Sequence, residues 1–434
     1  MTQFPGPAAR NLLYKSKRYY ARNTQKSRIC GAKREGPFVI DKDGFRFLDL
    51  HCGAGVNSFG EFPEFLKDVV RKWMDSKIGF WEFHYGPNES AVLLAERLRE
   101  SSPVSKPSVA FFSNSGAEAN VAALKAFRAH HRSRGEHRKT VGLVAENAFH
   151  GRLLELLALT SSKPEVQRNP FWTEEDKKNV LQFPFPKKGA TDKRWYAEID
   201  RLLSLHAAHL SFVILEVPCQ GEGGVIEIDE DALAYLYTQI KMRNIFFWVD
   251  AIQCGMGRTG TLFGCDRYEW LKPDVLTLGK ALGGTFAFGV TIMRRELSYL
   301  KHGMHSNTFG GHPLTCPAAL VMLDETQKLI DNGHIKRIEE FLSHRMSYLA
   351  EKYPRYLQEA RGLGAMWALE FQSVAMQKKI IKLGEEACMR HEFGLSLLGC
   401  GRKAIRFMPP LNIPIDILQK GLDIFEKVMV DASK

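Results

Sequence analysis

A chain of 434 residues with 44% hydrophobic and 25% charged side chains has the composition of an ordinary soluble globular protein of two or three domains, which excludes disordered and fibrous classes. Its apolar runs, such as "FVILEV" at 212 and "IFFWV" at 245, are strand-length and fall short of the roughly 18 residues a membrane helix requires, so no membrane partner is expected. The formal net charge of +11 is spread along the chain except in one segment, so no nucleic-acid partner is inferred from it.

That segment comes first. From Arg10 to Arg34 there is no acidic residue, while Arg10, Lys15, Lys17, Arg18, Arg22, Lys26, Arg28, Lys33 and Arg34 all fall there. It reads as a solvated basic arm on a cytoplasmic enzyme, with an organellar transit peptide as the alternative. The opening "MTQFPGPAAR" has no apolar core of a secretory signal. The eight cysteines (Cys30, Cys52, Cys219, Cys254, Cys265, Cys316, Cys388 and Cys400) form no Cys-x-x-Cys pair. Neither a metal site nor a disulfide framework is indicated, and reduced thiols are expected.

Next, "PFVIDKDGFRFLDL" reads as a hairpin around Asp43-Gly44. "SVAFF" is a strand, and "SNSGAEANVAALKAFRAHHR" after it opens an alanine-rich helix with Ser115 and Glu118 spaced as a capping box. Short β-branched or aromatic runs at 141, 212, 245, 274 and 289 then alternate with amphipathic stretches. Such alternation predicts an α/β fold with a mostly parallel sheet between helices, whose ligand crevice lies at the carboxyl ends of the strands. After about residue 315 one long helical stretch to "AEKY", then "GAMWALEF" and "AIRFM", read as a smaller α+β domain. The expected division is 1–70 for the arm and part of the small domain, 71–315 for the large domain and 316–434 for the rest of the small one.

Chemistry gathers at three places in the large domain. The strand, turn and helix start around Ser115-Gly116-Ala117 form a potential anion cradle from free backbone N–H groups. "TLGKALGG" puts Lys280 directly after a strand among small residues. A phosphate-binding P-loop would need Ser or Thr after the lysine, and Ala281 stands there, so the lysine reads instead as a desolvated amine able to form a Schiff base. "VDAIQCGMGRTG" closes another strand with Asp250, a carboxylate that requires a positive partner if buried. Lysine, phosphate cradle and carboxylate are what pyridoxal 5'-phosphate asks of a protein.

These segments, with "PGPAARNLL", "NAFHGR", "QGEGG", "NTFGGHP" and "AIRFMPPL" in the same order, resemble the class III, fold type I pyridoxal-phosphate aminotransferases. The resemblance implies that Lys280 holds the cofactor as an aldimine and shuttles the substrate proton, while Asp250 pairs with the ring nitrogen. It implies that Ile252 and Phe149 lie against the ring faces, with His150 beside them, and that Gln253 reaches the ring hydroxyl. Ser115, Gly116 and Ala117 take the phosphate, completed by Thr308 from the second subunit of a homodimer. Arg152 and Arg406 take substrate carboxylates, with Glu222 able to mask the second arginine. The implied reaction moves an amino group from an amino acid or ω-amine donor to a keto-acid acceptor in a ping-pong cycle. An amino-acid racemase on the same cofactor is the alternative, and a non-catalytic anion-binding protein of this fold is the third. Three departures fall near the site: Ala251 and Val217 stand where the family has glutamates, with Glu216 one residue earlier, and His312 stands where Asn is frequent.

Overall fold

The computed structural model describes residues 3–21, 27–80, 86–168, 171, 173 and 178–434. The chain divides into two compact units, Glu64–Asn332 and the pair Met1–Pro63 with Gly333–Lys434.

In the larger unit one seven-stranded sheet runs in the order Ser108–Ser113, Gly289–Arg294, Val275–Gly279, Phe246–Asp250, Leu210–Leu215, Val141–Ala145, Val180–Phe183. Gly289–Arg294 is antiparallel to both neighbours, and the remaining pairings are parallel. Leu210–Leu215 and Val275–Gly279 are buried throughout, which is why they read as continuous apolar runs without alternation. The helix Gly116–Ser133 covers one face. Its Ala119, Ala122, Ala123 and Ala126 are fully buried and let the backbone come close, while Phe127 stacks on Phe212 at 5.0 Å between ring centroids and on Phe246 at 5.5 Å.

The smaller unit holds two four-stranded sheets. One joins Gly31–Glu35, Phe38–Asp41, Arg46–Asp49 and Gly394–Ser396, and the other joins Leu357–Leu363, Met366–Phe371, Ala404–Phe407 and Leu398–Cys400. The hairpin forms at Asp43-Gly44, where Gly44 takes φ +86° and the Asp41 carboxylate accepts the N–H groups of Asp43 and Phe45 at 2.9 Å each. Asp43 in turn accepts the N–H groups of Ala8 and Ala9 in the first turn of the helix Pro7–Tyr19.

Two expectations need correction. The stretch after 315 is not one helix but two, Thr315–Asp331 and His334–Lys352, broken at Gly333 with φ +72°. The first helix groups with the larger unit, so the division falls after Asn332. The basic arm is only partly solvated: Arg10, Lys15, Lys17 and Arg18 are exposed, but Arg28 bonds Glu385 at 2.7 Å and Glu386 at 3.0 Å, and Arg34 bonds the buried Asp49 at 2.8 Å. Arg22 and Lys26 lie outside the described residues. All eight cysteines are free, and no helix among the described residues is long and apolar enough to cross a membrane.

Candidate active site

Four neighbouring parallel strands end at Ala145, Leu215, Asp250 and Gly279, and the loops that leave them share one edge of the sheet. The helix Gly116–Ser133 starts at the same edge: a Cβ on Gly279 would come within 3.1 Å of the Gly116 Cα. These segments enclose a cavity of about 350 Å³, within the range of small-molecule sites. Its wall comprises Gly116 and Ala117, residues 149–153, Glu216 and Glu222, Asp250, Ile252 and Gln253, and Lys280.

Asp250 is 4% exposed, so its carboxylate must be bonded. One oxygen accepts from Asn120 Nδ2 and from His150 Nδ1, each at 2.8 Å, and the other, among the described residues, accepts only the Ile252 N–H at 3.1 Å. A carboxylate can only accept, so the His150 proton sits on Nδ1. The same Asn120 amide also donates to the His150 carbonyl at 2.8 Å, which fixes the imidazole from behind. The His150 side chain is fully buried, and its Nε2 has no hydrogen-bond partner among the described residues. No lysine or arginine among the described residues bonds Asp250.

Lys280 follows Gly279 and begins the short turn Lys280–Gly283. Its φ is +47°, the left-handed region that a residue with a side chain occupies at a cost of roughly 1–2 kcal/mol. Strain of this kind persists where surrounding structure enforces it, typically at functional sites.

The helix start is pressed onto the sheet. A Cβ on Gly116 would meet the Ile252 side chain at 2.7 Å, and one on Gly289 would meet the Ser115 carbonyl oxygen at 2.2 Å. Ser115 caps the helix by accepting the Glu118 N–H at 3.2 Å. The returning Glu118 carboxylate bonds the Asn114 N–H at 2.8 Å, one residue before the partner expected in a standard capping box. With its hydroxyl used as the cap, Ser115 is not part of the cavity wall, whereas Gly116 and Ala117 are.

The substrate side is less complete. Arg152 is exposed at the wall, its guanidinium 4.9 Å from the centroid of the Phe149 ring, and Glu222 lies on the same wall. Arg406 belongs to the smaller unit, buried on the strand Ala404–Phe407, and Thr308 is exposed on the larger unit. Neither lines the cavity. Val217 is fully buried and off the wall, and Glu216 takes the place on it. Burial pushes the Glu216 carboxyl up to about 7, against the pull of His150 and of the Gly221 and Phe149 N–H groups it accepts. Sequence reasoning missed Asn120. The available signal was one amide among the buried alanines of the first turns of a helix.

A buried carboxylate that no lysine or arginine among the described residues bonds and a strained lysine thus stand at the ends of adjacent strands in one cavity. The chain belongs to the class-III aminotransferase family, whose pattern, described as "Aminotransferase class-III", matches residues 19–429. It is 31% identical to the acetylornithine aminotransferase of Clostridium acetobutylicum over 95% of this chain and 99% of that one, and 31% identical to that of Methanocaldococcus jannaschii over 96% and 98%. The fold matches the PMP-bound aminotransferase from Vibrio fluvialis with a TM-score of 0.86 and 23% identity, covering 96% of this chain and 97% of that one. The protein is an enzyme of amino-group transfer, and the racemase and non-catalytic alternatives gain nothing from these relatives.

Proposed function

We propose that the cavity binds pyridoxal 5'-phosphate, with Lys280 as the amine that holds it and Asp250 as the carboxylate against its ring nitrogen. The observation that carries this is the pair itself: Asp250 ends the strand Phe246–Asp250, Lys280 follows the adjacent strand Val275–Gly279, and both line one cavity. The wall fits the group. Gly116 and Ala117 open a helix whose first N–H groups suit a phosphate, Phe149 and Ile252 suit the faces of a flat ring, and Gln253 suits its hydroxyl. Asp250 keeps lone-pair capacity on the oxygen that bonds only Ile252 N–H.

When bound, pyridoxal phosphate supplies a carbonyl that condenses with amines and a ring that accepts the electron pair left on the carbon beside nitrogen. Asp250 keeps a proton on the base set against it, and Asn120 and His150 hold that carboxylate in place. The Lys280 amine would carry the proton that leaves the substrate carbon bearing nitrogen. Arg152 grips a carboxylate of the substrate. By the family resemblance, Arg406 is the partner of a second carboxylate. The donor is an amino acid or ω-amine and the acceptor a keto acid such as 2-oxoglutarate. N-acetylornithine heads the donor panel, because relatives across nearly the whole chain carry that name.

The reading includes a cytoplasmic homodimer in which Thr308 serves the second subunit's phosphate site. Asn307 donates to the Phe112 carbonyl at 2.9 Å and so anchors a segment whose Thr308 and Phe309 face outward. Titration of the purified protein with pyridoxal phosphate tests the cofactor. A yellow colour that borohydride bleaches while fixing the cofactor to Lys280 supports the assignment, and a label on another lysine overturns it.

A further inference from the structure

The strands Val141–Ala145 and Leu210–Leu215 are parallel neighbours, with Val144 opposite Ile214, so the loops after them run side by side at the cavity. The first carries Phe149 and Arg152, the second Glu222. Glu216 stands between them at 6% exposure: one carboxylate oxygen accepts the Phe149 N–H at 2.9 Å and the other accepts the Gly221 N–H at 2.8 Å. Each bond lies next to a residue of the substrate side. The Phe149 ring carries the Arg152 guanidinium, and Gly221 precedes Glu222. The loops touch elsewhere too, since Gln220 Nε2 donates to the Glu146 carbonyl at 2.7 Å and a Cβ on Gly223 would stand 3.0 Å from the Asn147 carbonyl oxygen. Glu216 is the place where a single ionisable group joins both.

We propose that Glu216 is a positioning residue that staples these two loops through their backbone N–H groups, fixing Arg152 relative to Glu222 and thereby the preference for dicarboxylate over monocarboxylate keto acids. This rests on the assignment of Arg152 and Glu222 to the substrate. Two N–H donors aimed at the two oxygens of one carboxyl are met best by the carboxylate, because protonation makes one oxygen a hydroxyl and a poorer acceptor. Its charge is resisted by burial and by Asp250 and favoured by His150 and the two N–H groups. Lys280, Arg152 and Glu222 are the other charged residues of the wall, and the buried thiols of Cys219 and Cys254 lie close enough to feel Glu216. The staple is therefore strongest above about pH 7 and weakens in one arm below it.

The test compares the holoenzyme with Glu216→Gln and Glu216→Ala. Single-turnover conversion of the amino form by 2-oxoglutarate should lose about tenfold or more in kcat/KM, mainly through KM, and conversion by pyruvate less than about threefold. In the wild type, KM for 2-oxoglutarate should rise as pH falls from 8 to 6, and this limb should be absent from Glu216→Gln. Amide hydrogen exchange at Phe149 and Gly221 should be faster in Glu216→Gln at pH 8, an outcome that does not depend on turnover. Equal losses with both keto acids, or unchanged exchange at these amides, overturn the staple. If Arg152→Ala and Glu222→Ala also leave the preference for 2-oxoglutarate unchanged while exchange in Glu216→Gln quickens, the assignment of those two residues has failed, and the specificity claim with it, although the backbone contact stands.

Discussion

Two buried aspartates on adjacent strands of one sheet meet opposite electrostatic treatment. Asp274 stands just before the strand Val275–Gly279, at the amino end, and is fully buried. It bonds Lys241 at 2.5 Å, Arg294 at 2.9 Å and the Phe247 N–H at 2.7 Å. Asp250, at the carboxyl end of the neighbouring strand, has an amide, an imidazole and one backbone N–H and, among the described residues, neither lysine nor arginine. A buried carboxylate with two fixed cations has no need of a ligand. One held by neutral or weakly basic donors projects its charge into the cavity it faces, where a cationic ring nitrogen is the complement. The amino end of the sheet is built for stability and the carboxyl end for chemistry.

The largest effect expected on this contrast comes from the carboxyl end. Lys280→Ala should abolish turnover while leaving the thermal transition in place, because in the proposed function its amine is both the anchor and the proton carrier. Measurable turnover by the variant, without added amine, would remove Lys280 from the chemistry. Asp250→Asn should follow, with a loss of roughly a hundredfold or more in kcat, on the scale of removing one preorganised electrostatic group, and with stability within about 1 kcal/mol of wild type. Asp274→Asn should do the reverse. Its cations are about a third exposed, at 31% and 35%, and can turn to water, so about 2 kcal/mol of stability should go, less than for a fully enclosed pair. Turnover per folded molecule should be near normal. Denaturant melts and active-site-normalised kcat on both variants separate the two ends, and a matching pattern in both would dissolve the distinction.

How far the sequence alone leads follows the range of the interaction. Six strands of the large sheet were legible because each is a short apolar run, and Lys280 and Asp250 because each stands at the end of one among small residues; the seventh, Val180–Phe183 at the edge, is only partly buried and was not. The break at Asn332-Gly333 was missed: a glycine follows the last periodic residue, but amphipathic residues resume at once and the two helices read as one. What joins distant positions was not legible. Arg28 meets Glu385 across 357 residues, which local pattern cannot reveal, and Asn120 reaches Asp250 across 130. Glu216 showed in the sequence only as a glutamate one place early. Its two backbone partners appear only when the loops lie together.

A smaller effect tests the cost of the carboxyl end through pH. The folded-state value of Glu216 is raised from 4.5 to about 7, chiefly by burial, so the folded protein holds this proton to higher pH than the unfolded chain. Its contribution to stability is therefore present below about pH 4.5 and is lost as pH rises through about 7. Glu216→Gln cannot titrate. The melting temperature of the variant minus that of the wild type should move in the variant's favour between pH 5 and 7.5 and then level off. A difference that stays flat over that range would mean that the carboxyl titrates outside it.

The smallest effect concerns the backbone beneath the chemistry. Lys280 is held at φ +47°, and alanine at this position would suffer the same clash between its Cβ and the backbone, whereas glycine would not. Both variants lack the amine, so both should be inactive, and any difference between them reports conformation alone. Lys280→Gly should be more stable than Lys280→Ala by about 1 kcal/mol, the steric gain being reduced by the extra freedom glycine has when unfolded. Chemical denaturation of the two variants without cofactor measures this directly, since no ligand then favours either folded form. Equal stabilities would show that the turn relaxes once the lysine is gone, and the left-handed backbone would then be imposed by the lysine side chain and its contacts. A stabler glycine variant would show that the fold imposes the strain and the lysine merely occupies it, which is what a site prepared before its ligand arrives requires.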